Sequence, residues 1–369
     1  MSERKASVII VTFNNLESAT KPCIESIYDY TDVGDFELIV VDNDSTDGTK
    51  EYLGLLKEEH PNVKIKINNE NKGFAGGNND GLRLAEGKYL VLLNNDTLVT
   101  PGWLDSLLLP LEKDRQIGLV GPISNAVGNE QMVTLEGMTE KSYVAVSEKY
   151  TRIHGNCRFD TERLGFFCVA MRRQVFNKVG FLDERFGIGF FEDDDYCIRV
   201  RSLGYRLVFT EACFVYHKGS LSFSKLGDQM LREMVDKNRV LFSRKHGKEW
   251  TYSDVVIAYL NKIERDLNTY RDAALDGEAG PYIERVTVRL PGLRDTVEGV
   301  RGIEKKMIKQ IKHYGVTYSR WVGLLEKINA GIPFSGPLIR MGEKVGKELE
   351  RFKNKVKKWR LIRNTKRLD

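Results

Sequence analysis

Apolar residues run unbroken through Tyr89-Leu-Val-Leu-Leu and stop at Asn94-Asn95-Asp96-Thr97. A run of this kind suits a strand buried on both faces, and polar groups at its C-terminal end fall where open α/β sheets bind ligands. Two earlier runs have the same design: Ser7-Val-Ile-Ile-Val leads into Thr12-Phe13-Asn14, and Phe36-Glu-Leu-Ile-Val-Val leads into Asp42-Asn43-Asp44. Residues 63–67 alternate like a strand with one face in water, and residues 117–122 read as another buried strand. Between them, residues 16–30 are amphipathic at helical period. A second helix carries Tyr52, Leu53, Leu55 and Leu56, with Asp44-Ser45-Thr46 as its cap, and residues 78–85 form a short third helix. This alternation predicts an α/β class with a doubly wound, mostly parallel sheet over residues 1–125.

Parallel strands all end at one edge, so the three polar strand ends should converge on a single crevice. An ordinary polar turn accounts for any one of them. Three in register point to a ligand site. Residues 68–81 add a Gly- and Asn-rich segment, in which Gly73, Gly76 and Gly77 allow close backbone approach. Lys72 and Asn78 there could reach a phosphate or a sugar hydroxyl at a helix N-terminus; a plain turn with no ligand is the competing reading. The segment lacks a Gly-Lys-Ser/Thr ending and no G-x-G-x-x-G follows the first strand, which argues against P-loop and dinucleotide chemistry.

The second half contributes two chemical candidates. Glu192-Asp193-Asp194-Asp195 opens an amphipathic helix, where acids also serve as ordinary complements to the helix dipole. A strand-like stretch over residues 209–216 ends at His217, and a lone histidine is more often structural than a ligand. Residues 126–165 are less regular.

The net charge of +5 conceals an asymmetry. Residues 301–369 hold about 19 Lys and Arg against about 6 Asp and Glu, so the first 300 residues are net acidic by about 8. An acidic body argues against nucleic acid as a partner. The five cysteines (Cys23, Cys157, Cys168, Cys197, Cys213) form no C-x-x-C pair, which suggests neither a disulfide framework nor zinc and favours a reducing cytoplasm. No signal-peptide pattern and no membrane-spanning apolar stretch is evident, so a cytoplasmic protein is expected, soluble or peripheral on the inner face of the membrane. Residues 255–267 and 297–314 have helical period. In residues 339–361, Met341, Val345, Leu349, Phe352, Val356 and Trp359 form the apolar stripe of a basic helix. Such a helix lies on an anionic membrane or packs on the core or a second subunit of a homo-oligomer, and both readings stay open.

Taken in order, Val8-Ile-Ile-Val-Thr-Phe-Asn, Val40-Val-Asp-Asn-Asp-Ser-Thr-Asp-Gly-Thr, Asn71-Lys-Gly-Phe-Ala-Gly-Gly-Asn-Asn and Leu92-Leu-Asn-Asn-Asp-Thr resemble the inverting glycosyltransferases of family 2, including rhamnosyltransferase-like members. The similarity covers about residues 5–245. It implies a nucleotide-diphospho-sugar transferase (GT-A type) fold: a catalytic domain over 1–245, with a donor half (1–125) and an acceptor half (126–245), followed by a helical, basic extension over 246–369. By this resemblance Val11, Thr12, Phe13 and Asp42 hold the nucleobase and ribose, with Lys72, Asn78, Asn94 and Asn95 also on the donor side. Asp96 and His217 bind a divalent Mn2+ or Mg2+, which suits hard oxygen ligands and tolerates imidazole. Asn94 stands where many relatives carry an aspartate. Asp193 acts as the base, Glu192 binds the acceptor, and residues 165–173, including Phe166, line the acceptor channel. The implied donor is a UDP- or dTDP-linked sugar. The implied acceptor is a saccharide, lipid-linked saccharide or glycoprotein in cell-surface polysaccharide or glycoconjugate assembly.

Two other classes fit less well. A sugar-nucleotide pyrophosphorylase needs a basic Gly-rich loop directly after the first strand, where this chain has Thr12-Phe13-Asn14-Asn15. A non-catalytic sugar-nucleotide-binding protein would not need Asp96, Asp193 and His217 together.

Overall fold

The structure, a computed structural model, describes residues 6–219, 228–247 and 288–289. The chain divides into two compact units, one of Met1–Val127 with Leu135–Trp250, the other of Gly128–Thr134 with Thr251–Asp369. Within the second unit the Thr134 amide donates to the Val288 carbonyl at 2.7 Å. The helices expected over 255–267, 297–314 and 339–361 lie outside the described residues.

The first unit is built on an eight-stranded mixed sheet. Its strands are β1 (Ala6–Thr12), β2 (Phe36–Asp42), β3 (Val63–Ile67), β4 (Tyr89–Asn94), β6 (Ile117–Ile123), β7 (Arg158–Thr161), β8 (Cys168–Arg172) and β9 (Arg206–Phe214), in the order β3-β2-β1-β4-β8-β6-β9-β7. A separate antiparallel ribbon pairs β5 (Thr97–Leu98) with β10 (Tyr216–His217). Strands β1 to β4 are mutually parallel, as the sequence predicts. The stretch expected to line an acceptor channel contains β8, which runs antiparallel between β4 and β6 at the centre of the sheet. Strand-like residues 209–216 are also split, because β9 ends at Phe214 and His217 belongs to the ribbon.

Helices cover both faces, which is why the central strands read as continuous apolar runs. Side chains alternate along a strand, so Ala6, Val8 and Ile10 of β1 share one cluster with Cys23, Ile24 and Ile27 of α1 (Lys21–Tyr30), Leu53 and Leu56 of α2 (Thr49–Glu59), and Leu104 and Leu107 of α4 (Trp103–Lys113). Ile9 and Val11 point the other way, toward α3 (Gly73–Leu84). Helix α3 begins at Gly73, within the Gly-rich segment, rather than at the expected position 78. Its glycines admit the sheet: a Cβ on Gly77 would lie 2.5 Å from Val11 Cγ1, and one on Gly81 2.4 Å from Ile9 Cγ2. The chain continues through α5 (Tyr143–His154), α6 (Arg173–Val179), α7 (Glu192–Ser202) and α8 (Asp228–His246). No helix among the described residues is long and apolar enough to cross a membrane.

Helix α2 starts at Thr49 behind Gly48, whose φ of 86° closes the turn. The expected cap residues serve the neighbouring loop instead. Asn14 N donates to Ser45 Oγ at 2.7 Å, and Thr46 N donates to Asn14 Oδ1 at 2.8 Å. Asn14 and Asn15 both have positive φ, which asparagine tolerates better than most residues.

Candidate active site

Register brings the polar strand ends together. Thr12 pairs with Asp42 across β1–β2, and Val11 pairs with Asn94 across β1–β4, so all three strands end at one edge. Asp42 is fully buried; its Oδ2 accepts from Ser45 N at 3.0 Å, while Oδ1 has no hydrogen-bond partner. A buried carboxylate oxygen left unpaired is costly and marks a place for a donor group from a ligand. Phe13 beside it is 39% exposed, leaving a ring face for stacking.

The side chains of Thr12 and Asn95 are turned inward. Thr12 Oγ1 lies 2.6 Å from Thr20 Oγ1, and the Asn95 amide donates to Thr20 Oγ1 at 3.0 Å. Asn78 is likewise buried and donates to the Phe74 carbonyl of its own helix at 2.9 Å. These three expected donor contacts are braces beneath the crevice rather than groups facing it. Lys72 caps α3 and pairs with Asp80 at 2.8 Å. Asn94 ends β4 half-buried, its backbone amide donating to the Phe167 carbonyl at 2.8 Å.

The β5–β10 ribbon sets His217 opposite Thr97 and thus beside Asp96, with His217 Nε2 3.1 Å from Asp96 Oδ1. His217 Nδ1 is 2.7 Å from the Ala126 carbonyl, which can only accept, so Nδ1 carries the hydrogen. The Phe167 ring stacks on the imidazole at 5.4 Å and 16°, and Lys218 N donates to the Asp96 carbonyl at 2.9 Å. Although the pair is at ion-pair distance, Asp96 Oδ1 has no aligned hydrogen bond. Burial opposes a charge on His217, but Asp96 beside it and the Ala126 carbonyl raise its pKa above the ordinary value. Two electron-pair donors this close are stabilised by a proton on Nε2 or by a cation held between them. Ligands at about 2.1 Å on adjacent octahedral positions sit about 3 Å apart. An Asp, a His anchored through its other nitrogen and an unpaired buried oxygen suit a divalent ion completed by substrate oxygens. Among the described residues no group of three or more His, Cys, Asp or Glu could hold a metal ion by itself.

Phe166 and Phe167 join this pair to the acidic helix. Phe167 covers His217, and Phe166 packs edge-on against Tyr196, one turn along α7 from Asp193, at 5.8 Å. Phe166, expected on the acceptor side, is buried in that packing. Helix α7 opens directly from two consecutive left-handed aromatics, Phe190 (φ 75°) and Phe191 (φ 77°), a conformation costing on the order of 1–3 kcal/mol per residue. The four acids then divide. Asp195 is fully buried among Arg199 Nε (2.9 Å), Lys245 Nζ (2.6 Å) and His246 Nε2 (2.7 Å), a structural junction. Asp194 lies 3.7 Å from Arg163 Nη1. Glu192 Oε2 is buried without a hydrogen-bond partner, and burial followed by the Asp193 charge raises its pKa well above the carboxylate range. Asp193, half-buried and accepting from Asp194 N at 2.8 Å, is pushed up to about 7 by burial and by Asp194.

Sequence reading missed the supports of this turn. Asn238, Phe242, Lys245 and His246 fall at i, i+4, i+7 and i+8 on α8, one face of a helix that reaches the segment before Glu192. That spacing was the available signal.

The chain was compared with known proteins. It is 28% identical over 233 residues to the uncharacterized protein y4gI of Sinorhizobium fredii, covering 58% of this chain and 24% of that protein. It is 24% identical over 235 residues to UDP-Glc:alpha-D-GlcNAc-diphosphoundecaprenol beta-1,3-glucosyltransferase WfgD of Escherichia coli, covering 63% of this chain and 84% of that one. The chain thus spans about a quarter of the first relative and most of the second. A solved structure of GalNAc-T7 with UDP, GalNAc and Mn2+ superposes with a TM-score of 0.48 at 20% identity, over 58% of this chain and 44% of that one. The family model described as Glycosyl transferase family 2 matches residues 7–180, the segment that supplies β1 to β8 and the edge bearing Asp42 and Asp96. Over residues 7–180 the chain is thus similar to the glycosyl transferase family 2.

Proposed function

We propose that the protein is an inverting, metal-dependent glycosyltransferase that moves a sugar from a nucleotide-diphospho-sugar to an acceptor hydroxyl in cell-surface polysaccharide or glycoconjugate assembly. The observation that carries this reading is the pairing of Asp96 and His217, with an unpaired buried carboxylate oxygen, at the edge where Asp42 presents a second one. Asp42 Oδ1 accepts from a nucleobase N–H or ribose hydroxyl, Phe13 stacks on the base, and Asn94 lies beside the diphosphate. Asp96 and His217 would hold Mn2+ or Mg2+, which would supply positive charge to offset the negative charge of the departing nucleoside diphosphate. Asp193 takes the proton from the acceptor hydroxyl as that oxygen attacks the anomeric carbon from the face opposite the leaving diphosphate. A pKa near 7 suits a base that must be free at neutral pH yet strong enough to accept a proton. Glu192, kept neutral by its burial, donates to an acceptor oxygen.

The Escherichia coli relative is named for a glucosyl donor and a diphosphoundecaprenol-linked acceptor, which supports a UDP-sugar and a lipid-linked saccharide as first candidates. A lipid-linked acceptor also accords with membrane contact through the basic segment over residues 339–361. The test is turnover of UDP-glucose, UDP-galactose, UDP-N-acetylglucosamine and dTDP-rhamnose with Mn2+, followed by proton NMR of the anomeric signal. Product of opposite anomeric configuration is expected. Retention of configuration would exclude the single-displacement route.

A further inference from the structure

Helix α8 lies outside the matched family segment, yet it holds the turn from which the acidic helix starts. The Asn238 side chain is 2% exposed and its amide nitrogen lies 2.7 Å from the Phe186 carbonyl, 2.8 Å from that of Gly189 and 3.2 Å from that of Phe190. Two amide hydrogens thus serve three backbone acceptors: one in the left-handed pair Phe190-Phe191, one directly before it at Gly189, and one four residues upstream at Phe186. One turn further on, the Phe242 ring packs against Phe191 at 5.6 Å. Lys245 then bridges Asp183 and Asp195, both at 2.6 Å.

These contacts have different consequences. The ion pairs fasten the two ends of the segment, at Asp183 and inside α7. Asn238 alone among them fixes the backbone of the turn itself. Aromatic residues do not adopt two successive positive φ values unless the surroundings impose them. Rotation of either peptide would swing the first turn of α7 and with it the side chain two residues after Phe191.

We propose that Asn238 is a positioning residue for the candidate base: its amide locks the Phe190-Phe191 turn and thereby sets where the Asp193 carboxylate points. This rests on the reading of Asp193 as base. Asn238 touches no substrate and acts only through the turn. A side chain that keeps the amide donor preserves the lock, and one that removes it releases the turn while Lys245 and Phe242 keep α8 docked.

The test uses the full chain labelled with 13C at aspartate carboxyls, with the Asp193 signal assigned by its absence in Asp193→Asn. In the wild type Asp193 should titrate near pH 7. In Asn238→Ala its midpoint should fall by at least about one pH unit as the released turn lets water reach the carboxylate. In Asn238→Gln it should stay within about half a unit. An unchanged Asp193 titration in folded Asn238→Ala overturns the positioning role. Should Asn238→Ala fail to fold, Asn238→Asp decides, because it keeps the shape but sets an acceptor against three carbonyls; an unchanged titration there has the same meaning. A separate arm measures nucleoside-diphosphate release from the four sugar nucleotides. Asn238→Ala should lower kcat about tenfold or more with KM for donor within about twofold, and should add nothing in an Asp193→Asn background. Full turnover by Asp193→Asn would remove the base reading, and the positioning role with it. An inactive Asp193→Asn beside a fully active Asn238→Ala would remove the positioning role alone.

Discussion

His217 Nε2 lies 3.1 Å from Asp96 Oδ1, and the two residues reach that distance through the ribbon that pairs Tyr216 with Leu98 and His217 with Thr97. Their separation along the chain is bridged by backbone pairing, so neither side chain depends on a flexible loop for its position. The Ala126 carbonyl fixes the imidazole tautomer and Phe167 fixes its plane. In an acidic strand end with only one carboxylate, this arrangement concentrates cation binding on Asp96. Asp96→Ala should therefore abolish Mn2+-dependent stabilisation by nucleotide and reduce transfer to background. His217→Ala should weaken Mn2+ binding by at least about 10-fold, since losing even a group that only supports a ligand typically costs about 10- to 100-fold. Thermal shift against Mn2+ concentration, with UDP present, measures both.

Asp193 predicts the pH dependence of the reaction. The rate should rise with pH and level off above about 7, since only the ionised carboxylate accepts a proton. Asp193→Asn should lose about 10²–10⁴-fold in kcat and lose that rising limb, as read from initial rates across pH 5–9.

The same residue should cost stability. Because its folded pKa is raised to about 7, the native state holds a proton between about pH 4 and 7 that the unfolded chain has released. Stability from this group therefore falls as pH rises through that window. Asp193→Asn should approach the wild-type Tm only below about pH 4, and should exceed it by a smaller margin at pH 5 than at pH 8, in paired calorimetric scans. Equal Tm differences at both pH values would contradict the assignment.

Gly77 tests the packing of α3. A Cβ there meets Val11 Cγ1 at 2.5 Å, so Gly77→Ala should destabilise by about 1–3 kcal/mol in urea unfolding. Combining it with Val11→Ala should recover part of that loss, because the added methyl then occupies space the valine vacates.

Asp195→Asn should be among the most damaging single changes outside the crevice. It leaves Arg199, Lys245 and His246 facing one another without their shared carboxylate, at a cost of about 3–5 kcal/mol in chemical denaturation.

Much of the fold was legible because buried strands announce themselves. The runs ending at Thr12, Asp42 and Asn94 are continuous apolar segments with polar exits, and parallel pairing forces those exits to one edge. The place of β8 in the sheet was not legible, because a sequence pattern shows that a segment is a buried strand and not which neighbours it has; its insertion between β4 and β6 depends on contacts far apart in sequence. Gly73, Gly76 and Gly77 signal close backbone approach in the sequence without saying to what: in the structure Gly77 approaches Val11 of the sheet and Gly73 the Gly187 backbone, because a missing side chain is compatible with any close neighbour. Thr12, Asn78 and Asn95 carried the right chemistry on the wrong face. Side-chain direction at a strand end or within a helix is set by packing that the linear pattern does not record. The bracing role of Asn238 needed the fold, since nothing in the sequence shows that α8 returns to the segment before Glu192.

The most direct measurement is calorimetric titration of UDP and dTDP into the wild type and Asp96→Ala, each with Mn2+ and with EDTA. At least one nucleotide should bind the wild type with Mn2+, and EDTA or Asp96→Ala should remove this binding. Binding of equal strength in all four conditions, or no binding of either nucleotide to the Mn2+-loaded wild type, would contradict this expectation.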